Sequence, residues 1–310
     1  MKIKQENLLI KSIDKNKVDL FIKEENVGTL TYNINKNEAN ISISINKANY
    51  ESAFIKMFIN YLFKNKKIDK VSFNNTIYTP ENFYFMRKYK TLLMDIDDTV
   101  LSFSKAEKKA LSVALTKVGL KVDDEILKHY HKINIKYWEM VERNEITRDA
   151  CLILRFKEFL PLYGINFDPA KFEDLYRFYL NKQYHVMKNA RKVLTLLQNN
   201  YRIYAVTNGV KETQKFRISK SNMEHFFIKS FISEEIGHNK PSIEFFKVVK
   251  ENIEDFDFKT TLIIGDSLTS DVKLGINNNI DTCWFNFNFK ENNSDIKPTY
   301  QINSLLELLY

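Results

Sequence analysis

The chain has 310 residues, a hydrophobic share of 44% and a formal net charge of +8. This length is comfortable for two domains, and the hydrophobic share excludes a globally disordered chain. Its two cysteines provide no disulfide framework. No window approaches the ~20 apolar residues of a membrane span, and the first residues lack the apolar stretch of a signal peptide. We therefore expect a soluble, cytoplasmic protein without a membrane partner.

The basic residues are scattered along the whole chain. They stand among Asn and Ile residues and do not gather on one helix or alternate with stacking aromatics. We therefore expect no nucleic-acid partner. The positive field would instead help to draw in a small anionic substrate.

Residues 1–88 are predicted to form a separate small α/β domain. Two strands, 27–32 and 39–45, flank a polar turn, and the second strand alternates apolar with polar side chains. Apolar side chains three and four positions apart predict a helix over 50–64. A third strand is predicted over 71–73.

From residue 91 onwards strands and helices alternate, which predicts a parallel sheet with helices on its faces. Strands are predicted over 92–94, 202–206, 261–264 and 281–285. Between the first two strands lie four predicted helices, over 105–118, 123–142, 147–161 and 169–182. This helical block, inserted at about 104–186, is longer than an ordinary connection. Ser104–Glu107 has the form of a capping box for its first helix.

The strand over 92–94 ends at three carboxylates, those of Asp95, Asp97 and Asp98. Unpaired buried charges are strongly unfavourable, so these groups must lie where the strand emerges, paired with a cation. Ligands bind at that end of the strands in an open α/β sheet. Strand alternation points Asp95 and Asp97 the same way, which suits Mg²⁺ with one carboxylate left for chemistry. Taken alone, the cluster fits an acidic turn equally well.

The second predicted strand of this sheet ends at Thr207, Asn208 and Gly209. A hydroxyl, an amide and a permissive glycine between a strand and a helix can cradle phosphate oxygens, helped by backbone N–H groups. The same residue types also make ordinary turns.

Two more acidic residues and one lysine complete the candidate site. Asp266 is predicted at the tip of the strand over 261–264, and Asp271 on the first turn of the next helix. Lys240 precedes a helix that is predicted to start at Pro241. It is the one cation expected to balance the aspartates and an incoming phosphate.

In this order the motifs closely resemble the haloacid dehalogenase-like hydrolase superfamily, over residues 89–310. Within it, the chain looks most like the bacterial pyrimidine 5′-nucleotidases that act on noncanonical nucleoside monophosphates. The passages that carry the resemblance are Asp95–Phe103, Val206–Val210, Lys240-Pro241 and Leu262–Phe285. The resemblance implies a Rossmann-like parallel-sheet hydrolase core, with the helical block as an inserted mobile cap.

Carried over residue by residue, the resemblance implies that Asp95 attacks phosphorus and becomes an aspartyl-phosphate. Asp97 would protonate the leaving oxygen and then activate water. Mg²⁺ would be held by Asp95, the main-chain carbonyl of Asp97 and Asp266, with Asp271 in support. Asp98 is expected to shape the turn.

The resemblance also implies that Thr207, Asn208, Gly209 and Lys240 bind the phosphate oxygens where charge is spread in the transition state. The chain departs from the family at Ser242, since many members have an acidic residue after the Lys-Pro pair. We expect a structural or auxiliary role there.

The site residues and the resemblance together predict an Mg²⁺-dependent phosphomonoesterase that hydrolyses nucleoside 5′-monophosphates. The resemblance implies that pyrimidine nucleotides are the preferred substrates. Phe103, Tyr137 and Trp138 are candidates for stacking on a base. A phosphatase of another small phosphate, such as a sugar phosphate or phosphoglycolate, stays open, as do a phosphomutase and a non-catalytic sensor or binding module. A dehalogenase is disfavoured because it needs neither a metal nor a general acid two residues after the nucleophile.

The N-terminal domain resembles part of an acyl-CoA N-acetyltransferase in its two strands, the following helix and the next strand. Such enzymes hold the pyrophosphate with a glycine-containing loop that enters the helix. The matching stretch, 46–51, has no glycine and adds Glu51, which would repel phosphate. We therefore expect a degenerate domain that does not bind acetyl-CoA and serves packing or homo-oligomerisation.

Overall fold

The computed structural model describes residues 2–5, 8–47, 50–74 and 76–309. These residues divide into two compact units. The first runs to Lys88 and includes Phe287–Lys290 and the stretch from Leu306, whereas the second comprises Tyr89–Asn286 and Glu291–Leu305. The sequence-based division placed both short C-terminal segments with residues 89–310. The structure groups them with the first unit instead.

The first unit contains a seven-stranded sheet whose strand order follows the chain order. Neighbouring strands are antiparallel except for the fifth and sixth, which are parallel. The strands are β1 (Lys2–Gln5), β2 (Leu8–Ser12), β3 (Lys17–Ile22), β4 (Glu25–Asn35), β5 (Glu38–Ile45), β6 (Lys70–Phe73) and β7 (Thr76–Tyr78). Helix α1 (Glu51–Asn65) buries Phe54, Phe58 and Leu62 in the core of this unit, and the short α2 (Pro80–Phe83) follows β7.

The four elements predicted for residues 1–88 are confirmed as β4, β5, α1 and β6. The remaining four strands were missed. In β3 the burial alternates residue by residue, with Val18, Leu20 and Ile22 buried, and this period of two was legible in the sequence. In the candidate acetyl-CoA loop, residues 48 and 49 lie outside the described residues.

The second unit is built on a six-stranded parallel sheet, which confirms the predicted α/β fold class. Its strands are β8 (Thr91–Met94), β9 (Arg202–Thr207), β10 (Ser230–Ile232), β11 (Thr261–Gly265), β12 (Asp281–Phe285) and β13 (Tyr300–Ile302). The order across the sheet is β10-β9-β8-β11-β12-β13. Every residue of the central strands β8 and β11 is buried, as expected when helices cover both faces. The short β10 and β13 were not predicted.

Four helices between β8 and β9 form the cap and confirm the predicted helical block. They are α3 (Phe103–Lys117), α4 (Asp124–Glu142), α5 (Arg148–Phe159) and α6 (Pro169–Leu180). Their apolar faces meet in one buried cluster, with Tyr130, Phe156 and Phe172 at its centre. Asp123 and Asp168 cap α4 and α6 by accepting main-chain N–H bonds.

The predicted capping box is wrong. Helix α3 begins at Phe103, and the carboxylate of Asp98 accepts the N–H of Ser104 at 3.0 Å. Glu107 is buried and accepts bonds from His131 and Asn134, both at 2.6 Å. These two partners on helix α4 outcompete the helix terminus for this carboxylate.

Two chain connections join the cap to the sheet, and they run side by side. Leu101 forms an antiparallel bridge with Val186. The N–H of Ser102 donates to the carbonyl of His185 at 2.8 Å, and that of Met187 donates to the carbonyl of Val100 at 2.9 Å. The cap therefore leaves and re-enters the core at one place.

Five helices complete the second unit: α7 (Ala190–Leu197), α8 (Lys211–Lys220), α9 (Ser233–Ile236), α10 (Ile243–Glu251) and α11 (Lys273–Asn277). Helix α10 begins two residues after Pro241, so the predicted start was early. Ser242 is its N-cap and accepts the N–H of Phe245 at 3.1 Å, which gives this residue a structural role. Among the described residues, no helix combines the length and apolar character needed to cross a membrane.

Candidate active site

Asp95 is the first residue after the buried strand β8. Its N–H donates to the carbonyl of Ile264 at 2.9 Å, which continues the pairing with β11 to the edge of the sheet. The side chain is 9% exposed, and its Oδ1 atom lies 2.7 Å from Nζ of Lys240. The expected cation therefore lies beside this carboxylate.

Lys240 is fully enclosed by acceptors. Its Nζ donates to Asp95, to Asp271 Oδ1 at 2.6 Å and to the carbonyl of Val206 at 2.9 Å. Burial alone would lower the pKa of Lys240, but the carboxylates of Asp271 and Asp95 outweigh it and hold the pKa above its ordinary value. The lysine is therefore charged, and all three of its N–H bonds are directed at protein oxygens.

Asp95, Asp266 and Asp271 form an acidic group in which one carboxylate oxygen from each lies within 4.8 Å of the others. Gly265 makes this approach feasible, because a Cβ atom there would lie 2.1 Å from Asp271 Oδ2. The N–H of Ser267 also donates to Asp271 Oδ2, at 3.1 Å. The structure thus brings together carboxylates that are far apart in sequence.

This acidic group fits a hard divalent cation. Its donors are carboxylate oxygens, the ligands that Mg²⁺ prefers, and their negative charge exceeds the single positive charge of Lys240. Burial raises the pKa of Asp95, with Asp271 and Asp97 acting in the same direction and Lys240 against it. A bound cation would counteract this rise and keep Asp95 ionised. For Asp97 the predicted ligand is the main-chain carbonyl, and that role stays a prediction.

The carboxylate of Asp97 is held by two residues of helix α8. Arg217 Nη1 lies 2.5 Å from Asp97 Oδ1, and Gln214 Nε2 lies 2.5 Å from Oδ2. Arg217 is fully buried. The sequence reasoning missed both residues. The sequence held a signal for them. Helix α8 must bury one face against the sheet, yet it contains only two large apolar residues, Phe216 and Ile218, so some of its polar side chains must be buried.

The predicted phosphate cradle follows strand β9. Thr207 is buried, and its Oγ1 accepts the N–H of Gly209 at 3.1 Å, which leaves the hydroxyl hydrogen able to donate. The Asn208 side chain instead contacts the main chain of Lys240: Nδ2 donates to its carbonyl at 2.9 Å, and Oδ1 accepts its N–H at 2.8 Å. In this structure the Asn208 side chain positions Lys240.

Residues of the cap approach the same edge of the sheet. Glu142, the last residue of α4, bonds Thr269, and its Oε2 has no partner among the described residues. Burial raises the pKa of Glu142 to about 7. Arg148 donates to Ser233 Oγ at 2.5 Å and to Asn239 Oδ1 at 2.7 Å. Neither residue was singled out from the sequence.

Two of the three candidate base-stacking residues pack within the cap. Phe103 and Tyr137 are partly buried against the cap cluster. Tyr137 also donates its hydroxyl to Glu158 at 2.8 Å. Stacking of these residues on a base stays a prediction.

The fold and the acidic group of Asp95, Asp266 and Asp271 are typical of a hydrolase of the haloacid dehalogenase-like type. Comparison with known proteins agrees. The haloacid dehalogenase-like hydrolase family matches residues 89–278. The chain is 39% identical to the HAD-hydrolase YfnB of Bacillus subtilis over 73% of this chain and 96% of that protein. This chain therefore belongs to the haloacid dehalogenase-like hydrolase family and is an enzyme.

Two further comparisons give a similar coverage of this chain. The chain is 34% identical to the pyrimidine 5′-nucleotidase PynA of Streptococcus pneumoniae, over 71% of this chain and 94% of that protein. The crystal structure of YfnB from Bacillus subtilis bound to magnesium superposes with a TM-score of 0.69, covering 72% of this chain and 97% of that one. The family match begins at residue 89, so it leaves residues 1–88 without an assigned role.

Proposed function

We propose that this enzyme is an Mg²⁺-dependent phosphomonoesterase that hydrolyses pyrimidine nucleoside 5′-monophosphates to nucleoside and phosphate. The observation that carries the proposal is the position of Asp95, which lies at the sheet edge against Lys240 and within the group formed with Asp266 and Asp271. The substrate class is supported by the similarity to PynA, a pyrimidine 5′-nucleotidase.

Asp95 is the proposed nucleophile. A carboxylate oxygen of Asp95 forms a bond to phosphorus while the bond from phosphorus to the nucleoside oxygen breaks. Asp97 gives a proton to the departing oxygen and then takes one from the water that releases phosphate from Asp95. Lys240 reduces the repulsion between Asp95 and the anionic substrate, because its ammonium group lies 2.7 Å from the carboxylate.

The residues of the turn after β9 are proposed to bind the phosphate. The hydroxyl of Thr207 donates to a phosphate oxygen, and the main chain at Asn208 and Gly209 lines the same turn. For Lys240 to bind phosphate directly, one of its three protein acceptors must give way to a phosphate oxygen.

Asp95 and Asp266, the main-chain carbonyl of Asp97 and the nearby Asp271 are proposed to hold the Mg²⁺ ion. When bound, the ion supplies charge neutralisation between the carboxylate and the phosphate.

Residues 1–88 are proposed to form a separate domain that serves packing or homo-oligomerisation and does not bind acetyl-CoA. A cytoplasmic location is proposed for the enzyme, since a sequence with two cysteines provides no disulfide framework.

The test is phosphate release from a panel of nucleotides, sugar phosphates and phosphoglycolate, with Mg²⁺ and with EDTA. We expect release that requires the metal and is greatest for pyrimidine monophosphates. A metal-dependent preference for sugar phosphates would agree with the proposed mechanism and contradict the proposed substrate class. Activity that needs a bisphosphate activator would indicate a phosphomutase, and no release under any condition would favour a binding module.

A further inference from the structure

Both oxygens of the Asp97 carboxylate are engaged by one helix. Gln214 and Arg217 lie three residues apart on α8, so they present one face to the catalytic turn. Gly209 makes the approach of Gln214 feasible, because a Cβ atom at position 209 would lie 2.0 Å from Gln214 Nε2. The local backbone thus leaves room for this contact.

Arg217 also contacts both connections between the cap and the core. Its Nε donates to the carbonyl of Gln183, near the point where the chain returns from the cap, at 3.1 Å. Its guanidinium carbon lies 5.5 Å from the ring centroid of Phe103, the first residue of α3. One side chain therefore joins Asp97 to the two connections that leave and re-enter the core.

Stability alone does not explain this arginine. Burying a guanidinium group is unfavourable unless its hydrogen bonds are satisfied, and the buried Nη2 of Arg217 has no acceptor among the described residues. Replacing a buried ion pair as a whole by hydrophobic side chains of similar volume often leaves stability unchanged or raises it, so stability does not require a charged pair at this place. The arrangement instead suits the placement of a carboxylate.

We propose that Arg217, assisted by Gln214, is a positioning residue that holds the Asp97 carboxylate in line with the leaving oxygen of the substrate. This inference rests on the proposed function, in which Asp97 transfers the proton. Arg217 acts through Asp97, whose carboxyl proton passes to the leaving oxygen as the bond from that oxygen to phosphorus breaks. A misplaced carboxyl group would leave the oxygen to depart as an unprotonated alkoxide.

The test compares two leaving groups in the full chain with Mg²⁺. The nucleoside oxygen of uridine 5′-monophosphate needs a proton to depart, whereas p-nitrophenolate departs as a stable anion. The kcat/KM value reports on the steps up to and including transfer of phosphate to Asp95. It therefore includes protonation of the leaving oxygen and excludes the later attack of water on the phosphorylated Asp95. We expect Arg217→Met to lower kcat/KM about 10²-fold for the nucleotide and less than about tenfold for p-nitrophenyl phosphate.

Companion variants separate position from charge. Arg217→Lys keeps the charge but loses the planar fork, so we expect partial recovery of the nucleotide reaction. Gln214→Leu should show a smaller loss in the same direction. Arg202→Met is the matched control. Arg202 is the first residue of β9, at the end of the strand away from Asp97, and it donates to Thr91 and to main-chain carbonyls. It should keep the wild-type ratio of the two substrates.

Equal losses for both substrates, or no loss with either, would overturn the inference while leaving the proposed function intact. If the wild type hydrolyses no phosphate ester, the proposed function fails. The ¹³C carboxyl resonance of Asp97, assigned with Asp97→Asn, tests separately whether Arg217 holds this carboxylate in place. We expect this resonance to move in Arg217→Met and not in Arg202→Met, and an unchanged resonance in Arg217→Met contradicts the proposal.

Discussion

At the scale of single residues, Asp95 is the proposed nucleophile, and its structural contact with Lys240 can be kept by another side chain. Its Oδ1 atom accepts a bond from Lys240, and an amide oxygen at the same position can accept that bond as well. Lys240 keeps Asp271 and the carbonyl of Val206 as further acceptors. Loss of the nucleophile and loss of the fold can therefore be separated.

We expect Asp95→Asn to lower phosphate release at least about 10³-fold, because an amide does not attack phosphorus. Its thermal unfolding midpoint should stay close to that of the wild type. The matched control is Asp168→Asn at the N-cap of α6, where asparagine caps as well as aspartate. Substantial residual activity in Asp95→Asn would contradict the covalent mechanism.

Glu142 shows how a buried carboxylate links stability to pH. Burial raises its pKa from 4.5 to about 7, with Asp271 adding to the rise and Lys240 and Thr269 opposing it. The unfolded chain then releases this proton at a lower pH than the folded chain. The contribution of Glu142 to the free energy of unfolding is therefore present below about pH 4.5 and falls as the pH rises through 7.

Glu142→Gln should therefore be more stable than the wild type at pH 8, by no more than about 3 kcal/mol, with a smaller difference at pH 5. Urea unfolding at both values measures this. Glu139→Gln, at a half-exposed position one turn earlier, is the control and should show no comparable dependence on pH. A gain for Glu142→Gln that is equal at both pH values would contradict the role of burial.

At the scale of elements, the cap helices are joined by a buried polar network as well as by apolar packing. Arg155 on α5 donates to Glu173 on α6 at 2.6 Å and to Asn134 on α4 at 2.7 Å. Both charged side chains of the Arg155–Glu173 pair are almost fully buried. The pair therefore ties three helices together in a region of low dielectric constant.

Removing one partner of this pair should lower the free energy of unfolding far more than removing both. We expect Arg155→Met to lower the free energy of unfolding by about 3–5 kcal/mol, because the buried Glu173 then keeps only the longer ion pair with Arg177, at 3.9 Å. The double variant Arg155→Met/Glu173→Leu should recover most of that loss, as urea unfolding would measure. Glu125→Gln, which breaks the exposed pair with Lys128, should change stability by less than about 1 kcal/mol. Additive losses in the double variant would contradict this interpretation.

At the scale of the whole molecule, the chain carries a unit outside the family match. The described part of residues 1–88 contains a seven-stranded sheet and helix α1, with a hydrophobic core of its own. The stretch 46–51, which would have to hold a pyrophosphate, has no glycine and contains Glu51. The proposed role of this unit is therefore packing or oligomerisation.

Isothermal calorimetry of the full chain with acetyl-CoA tests the first part of that proposal. We expect no binding at micromolar concentrations, because Glu51 repels phosphate and side chains keep the backbone away from it. Micromolar binding would require the acetyltransferase-like interpretation to be revised. Sedimentation of the full chain measures its oligomeric state in the same buffer.

The sequence by itself determined the sheet core, the cap helices and the acidic residues at the strand ends. These features are local: hydrophobic period, helix caps and the abrupt change from apolar residues to carboxylates at Asp95 are legible over a few positions. The presence of Lys240 and Asp271 near Asp95 followed from the order of the motifs. The prediction of a capping box at Ser104–Glu107 was wrong because Glu107 bonds His131 and Asn134 on another helix instead of the start of its own.

Only the tertiary structure decided which side chains hold the turn that contains Asp97. Arg217 and Asp97 are 120 positions apart, and no local period links them. The Asn208 side-chain amide likewise has the hydrogen-bonding groups to bind phosphate, yet it bonds the main chain of Lys240. Such contacts arise because parallel strands bring their carboxyl ends to one edge, where turns distant in sequence become neighbours. Their pairing depends on the packing of α8 and the cap, which no short stretch of sequence encodes.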